Sequence, residues 1–125
     1  MSSPTKIVVR ESKDTLLLAF SSGQEFDLPA EYLRVYSPSA EVRGHGKGNE
    51  TLQFGKRDVK IKSLEKAGNY ALQIIFSDGH DSGIYSWEYL QELAENYQEK
   101  WENYLKKLHN AGLSRNLEAQ VIKLL

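Results

Sequence analysis

The sequence predicts an α+β fold, a small antiparallel sheet followed by helices, and three observations carry that prediction. Short apolar runs of strand length, separated by turn residues, occupy most of the chain up to Tyr85. An Asp78-Gly79 pair sits between two such runs, as it does in β-hairpins. From Trp87 to His109 there is neither glycine nor proline, and Leu90, Leu93, Tyr97, Trp101, Tyr104 and Leu108 recur at helical spacing.

Taken in order, Lys6–Arg10 reads as a first strand and Glu11–Asp14 as a polar turn. Thr15–Phe20 is an apolar run short enough for a buried strand. Ser21-Ser22-Gly23 turns the chain into a third strand, Gln24–Leu28. Pro29–Tyr36 is a short helix, because proline is tolerated where the first helical N–H would go unpaired, and Asp27 stands ready to cap it. Ser37-Pro38 stops it, since the residue before proline is pushed out of the helical region. Glu41-Val42-Arg43 is short enough to pair with a sheet edge, and Thr51–Phe54 is a weak strand. Between them, Gly44–Asn49 has the composition of a loop.

Val59–Lys66 alternates apolar and polar residues, as a half-exposed strand does, and Leu64 breaks the parity, which points to a bulge near Ser63. Tyr70–Phe76 and Ser82–Tyr85 form the hairpin. With a two-residue turn at Asp78-Gly79, Phe76 would face Asp81 and Ile74 would face Gly83. One long helix then runs to Asn110-Ala111-Gly112, and its aromatic seam alternates steps of three and four as a coiled coil does. Ser114 opens a short last helix with Leu117, Val121 and Leu124 on one face.

Composition narrows the chemistry. The 125 residues suit one core, and the absence of cysteine excludes disulfides, a thiolate nucleophile and thiolate metal ligands. Sixteen basic residues against seventeen acidic ones give no bulk attraction to nucleic acid. No apolar run approaches a membrane span and the first residues do not begin a signal peptide, so a soluble cytoplasmic protein is the expectation.

Asp78, His80, Asp81 and Ser82 crowd the hairpin. A catalytic reading makes His80 a base oriented by Asp81, but a polar hairpin tip has the same composition. His45 and His80 could share a metal with nearby carboxylates if the glycine-rich loop folds over the hairpin, although no HxH, HxxxH or HExxH pattern is present. Gly44–Gly48 lacks phosphate-loop spacing, and the basic run Lys56, Arg57, Lys60 and Lys62 reads as a solvated face.

Two separated segments, Leu33–His45 and Gly68–Trp87, resemble the DUF971 family, the domain that also forms the N-terminal part of gamma-butyrobetaine hydroxylase-like oxygenases. The resemblance covers residues 6–93 and leaves 94–125 as a helical C-terminal extension. It implies an accessory zinc module with three cysteines and one histidine. Those positions fall here on Ser37, Ser39, Val42 and His80, with Pro38 retained, so the thiolates are gone and serine hydroxyls are poor zinc ligands. The iron and 2-oxoglutarate ligands of the oxygenases belong to a catalytic domain absent from this sequence. The sequence therefore predicts a non-catalytic accessory or protein-interaction domain with no cofactor. Its binding surface comprises Ser37, Ser39, Arg43, His45, Asp78, His80, Asp81 and Ser82. The alternative is a metal-binding or iron–sulfur-assembly accessory using His80 and His45. The partner is an unidentified protein, with homodimerisation through the C-terminal helix a further expectation.

Overall fold

The computed structural model describes residues 3–44, 48 and 50–116. Strands β1 (Pro4–Val9), β2 (Thr15–Phe20) and β3 (Glu25–Pro29) form an antiparallel sheet in sequence order. After helices α1 (Ala30–Val35) and α2 (Ala40–Arg43), strands β4 (Ile61–Ala67), β5 (Ala71–Phe76) and β6 (Ile84–Ser86) form a second one. Helices α3 (Trp87–Glu95) and α4 (Tyr97–Ala111) complete the α+β fold. The expected single sheet is thus two sheets of three strands. Their inner faces meet in one core, in which Leu16, Leu18 and Leu28 pack with Ile61, Ile74, Phe76, Leu90 and Leu93.

The apolar run of β2 is buried because it is the central strand, pairing Leu18 with Ile7 on one side and with Phe26 on the other. Lys13 adopts a left-handed φ of 67° in the turn before it, and its carbonyl accepts the N–H of Ile61 at 2.7 Å, which ties the two sheets together. The bulge expected near Ser63 is present as a register shift between Ile61 and Ser63. It returns Leu64 to the side of Ile74 after Ile61 has faced Phe76.

The hairpin departs from expectation at its tip. The pairing of Gln73 with Ile84 and the bond from Ile74 N–H to Gly83 carbonyl keep the expected register. At the end, however, Phe76 N–H binds the carbonyl of His80, not Asp81, and Gly79 N–H binds the carbonyl of Phe76. The connection therefore spans three residues, and only Gly79 takes a positive φ. A two-residue turn would have forced Asp78 into the left-handed region as well, and the longer loop avoids that cost.

Several local expectations change once tertiary contacts are available. Pro29 ends β3 and α1 starts at Ala30, while Asp27 caps nothing and pairs with Arg10 at 2.9 Å. Glu41-Val42-Arg43 belongs to a helical turn, not a sheet edge, because Ser39 adopts the extended geometry that starts a helix and Gly44, at φ 70°, ends it. Residues 51–54 form no strand. Thr51 N–H binds the carbonyl of Val42, and the carbonyl of Gln53 accepts the Tyr104 hydroxyl. The expected long helix is two helices broken at Asn96, whose side-chain amide donates to the Glu92 carbonyl and competes with the helical ladder.

That break divides the apolar seam between two tasks. Leu90 and Leu93 of α3 enter the core between the sheets. Tyr97, Trp101, Tyr104 and Leu108 of α4 turn instead onto α1, with Tyr97 edge-on to Tyr32 at 4.7 Å and Tyr104 and Leu108 packed on Val35. These residues of the seam therefore pack within the chain. Gly112 closes α4 in the left-handed conformation, as expected. The last helix expected after Ser114 lies outside the described residues.

Beyond Gly112 the chain runs back along residues 55–57, where Gly55 and Arg57 N–H groups bind the carbonyls of Ser114 and Arg115 at 2.8 and 3.0 Å. Arg115 lies over the ring of Trp101 and donates twice, at 2.8 and 2.6 Å, to Glu31, whose side chain is only 7% exposed. Removing the arginine strands a buried carboxylate. Arg115→Ala should cost about 2–3 kcal/mol in urea unfolding, below the ~3–5 kcal/mol of a fully buried pair because Arg115 is partly solvated. Adding Glu31→Gln in the same chain should recover most of that loss.

Candidate functional site

The hairpin tip, the turn after α1 and the start of α2 meet at His80. Its side chain is 2% exposed and reaches all three elements. Nδ1 lies 3.3 Å from the carboxylate of Glu41, an oxygen that can only accept, so Nδ1 carries the proton. Nε2 is then the acceptor, with Ser37 Oγ at 2.8 Å and Ser39 Oγ at 3.3 Å. Ser37 Oγ in turn accepts the backbone N–H of Ser39 at 3.3 Å, and Ser82 donates to Glu41 at 3.3 Å. Among the described residues no buried side-chain polar atom lacks a partner.

The sequence reasons for this arrangement are local. Pro38 keeps Ser37 out of the helical region and Ser39 enters α2 in an extended conformation, which turns both hydroxyls toward the hairpin. Gly83 admits the close approach: a Cβ placed there would stand 2.5 Å from Ser37 Oγ and 3.1 Å from the ring of Tyr85. The tip is anchored separately by Asp78. Its carboxylate accepts from Arg34 and Lys56, both at 2.9 Å, and from the backbone N–H of His80 at 3.2 Å. Arg34 also donates to Gln53 at 3.0 Å.

The electrostatics follow from this packing. Burial lowers the His80 pKa, the Arg34 cation lowers it further, and the Glu41 and Asp78 carboxylates oppose them without prevailing. The imidazole is therefore neutral at pH 7. For Asp78, burial by itself would raise the pKa. The hydrogen bonds from Lys56, the His80 backbone and Arg34 outweigh it and hold the carboxyl at about 2.

Of the residues singled out in the sequence, Ser37, Ser39 and His80 are brought together in the interior. Arg43, Asp81 and Ser82 remain on the exposed rim, and Asp78 bridges the tip to α1. His45 lies outside the described residues. Asp81 does not orient His80; its backbone carbonyl accepts the Gln73 amide. The carboxylate on the imidazole is Glu41, which lies in α2 and not on a sheet edge. A recoverable signal existed, since Ser39 two residues before an acid is how a helix start reads. Gly83 within a strand likewise signals close backbone approach.

Serine, histidine and glutamate thus stand in the order of a nucleophile, its base and an orienting carboxylate. The arrangement lacks access: Ser37 is 1% exposed and its hydroxyl is pressed against Gly83. Among the described residues no group of three His, Cys, Asp or Glu side chains converges as metal ligands would. What the geometry does is fasten three chain segments through one neutral imidazole.

Such a molecule, two three-stranded antiparallel sheets around a short central helix with a histidine fastening the hairpin to the loop after it, defines a small α+β domain class. The model of the gamma-butyrobetaine hydroxylase-like N-terminal family matches residues 7–91, and the chain belongs to that family. An NMR solution structure of a protein 47% identical covers 100% of this chain and 98% of its own, with a TM-score of 0.85. A second NMR structure, 43% identical, covers 100% and 94% with a TM-score of 0.79. A crystal structure of a DUF971-family protein of unknown function from Acidithiobacillus ferrooxidans is 32% identical, covers 74% and 92%, and has a TM-score of 0.57. No curated protein matches. No helix among the described residues is long and apolar enough to cross a membrane.

Three outcomes are expected. A depressed histidine pKa leaves the unfolded chain binding more protons below pH 6.5, so stability is complete above that value and is lost as pH falls through the folded pKa of His80. His80→Gln should flatten that limb of a urea-midpoint profile. A second decline, between pH 3.8 and about 2, should shrink in Asp78→Asn. Gly83→Ala should cost about 1–3 kcal/mol by overpacking against Ser37, and Gly83→Ala with Ser37→Ala should cost less than Gly83→Ala alone.

Proposed function

We propose that the chain is a non-catalytic, cytoplasmic accessory domain that recognises a protein partner, and that a hydrogen-bonded clasp holds its fold where the family resemblance implies zinc. The observation that carries this reading is the environment of His80 Nε2. Its lone pair is the one a metal would use, and it faces the hydroxyls of Ser37 and Ser39 at 2.8 and 3.3 Å. The third cysteine position of the resemblance is Val42, which offers no donor and is buried. One imidazole and two neutral hydroxyls do not suit zinc, which takes thiolate, imidazole and carboxylate ligands. The clasp supports the exposed rim of Arg43, Asp81 and Ser82, and that rim is the proposed recognition surface.

Metal content tests the clasp. Protein purified without a histidine tag should carry no stoichiometric zinc or iron. A Ser37→Cys/Ser39→Cys/Val42→Cys variant should bind one zinc per chain and lose it on adding His80→Ala. A stoichiometric ion in the unaltered protein, released by His80→Ala, would establish instead the metal-binding or iron–sulfur-assembly reading. For recognition, Asp81→Lys should remove at least one protein captured from the cells of origin, and an unchanged set would discard the rim as the surface.

A further inference from the structure

A cavity of about 670 Å³ borders Ser37 and is lined by the end of α1, α2, residues 50–53 and the middle of α4. That volume lies within the range of small-molecule sites. Val35, Val42 and Leu52 supply aliphatic wall. Tyr89 and Tyr104 supply aromatic wall, and their hydroxyls are already engaged, donating to the carbonyls of Tyr36 at 2.6 Å and Gln53 at 2.8 Å. The rings are therefore fixed in place and present carbon to the cavity.

The charges on this lining are not balanced. Arg43 holds its guanidinium 4.7 Å from the centre of the Tyr89 ring, and Lys107 lies across on α4. Among the described residues neither cation has a carboxylate partner. The other cations placed near α1 are all paired: Arg34 and Lys56 with Asp78, Lys100 with Glu92, and Arg115 with Glu31. Glu50, the carboxylate on the lining, is exposed and forms an ion pair with neither. An apolar chamber with fixed walls and an arginine held by an aromatic face matches a ligand with a carbon body and one anionic end.

We propose that this cavity binds a small amphipathic monocarboxylate. Its carboxylate is held by Arg43, with Lys107 adding positive potential, and its apolar body lies against Val35, Val42, Leu52 and the two tyrosine rings. The proposal goes beyond the clasp and does not depend on whether His80 holds a metal, so the two readings fail separately.

The test is a two-dimensional proton–nitrogen NMR titration of the full chain with phenylpropionate, and with phenylpropanol as the uncharged counterpart. Saturable shifts should centre on the amides of Val35, Val42, Leu52, Tyr89 and Tyr104. The alcohol should bind about tenfold or more weakly, the scale of one charge-assisted hydrogen bond. Arg43→Gln should weaken phenylpropionate to a similar degree while preserving the spectrum of the folded chain. Lys106→Gln, on the same helix as Lys107 but outside the lining, should leave the affinity unchanged. Absence of saturable shifts, shifts centred elsewhere, equal affinity for acid and alcohol, or undiminished binding by Arg43→Gln would each overturn the proposal.

Discussion

A six-residue helix buried on every side is the constraint from which the rest of this structure follows. All six residues of α1 are buried, including Glu31 and Arg34. So short a helix leaves most of its terminal N–H and C=O groups without intrahelical partners, and burial denies them water. The surrounding elements supply what is missing. The Tyr85 hydroxyl donates to the carbonyl of Leu33 and the Tyr89 hydroxyl to that of Tyr36. The backbone carbonyl of Asp14 at the β1–β2 turn accepts the first helical N–H, from Ala30, at 2.7 Å. The two buried charges are met by Arg115 and Asp78, both far along the chain from α1.

The tyrosines serve this arrangement twice. The hydroxyls of Tyr32 and Tyr36 donate outward to the carbonyls of Leu93 and Lys100, while their rings pack against Tyr97 and each other. Each ring buries a large apolar area and each hydroxyl satisfies a carbonyl near a helix end, which apolar residues of similar size could not do. Desolvation raises the pKa of Tyr32, Tyr85 and Tyr104, so these hydroxyls remain donors throughout the physiological range. The histidine clasp extends the same logic to the loop after α1. It is a neutral, fully partnered polar group that fixes the hairpin without introducing a buried charge.

The cavity beside the clasp is a consequence of the same geometry. The end of α1 and residues 50–53 are bonded to the hydroxyls of Tyr89 and Tyr104, and the rings of both tyrosines line the cavity. The family match covers residues 7–91, yet α4 contributes Tyr104 to this wall and Tyr97 and Trp101 to the cover on α1. The helical end of the chain thus packs as part of the same body as the sheets.

What the sequence determined by itself is the set of elements whose signals are local. The strand β2, the alternation and bulge of β4 and the glycine ending α4 follow from periodicity, backbone sterics and capping, which act within a few residues. The recurrence of Ser37, Ser39 and His80 was likewise legible through the resemblance, though not that a hydrogen-bonded clasp would join them. Tertiary structure decided the rest because the deciding partners lie far along the chain. Asp78 sits in a three-residue loop and pairs with Arg34, forty-four positions away; Glu41 lies in α2 and not on a sheet edge, and meets His80; Asn96 breaks a helix whose aromatic face is needed on α1. Period alone reports that a face is apolar, while what covers it depends on which buried surfaces and charges remain unmatched when the chain has closed on itself.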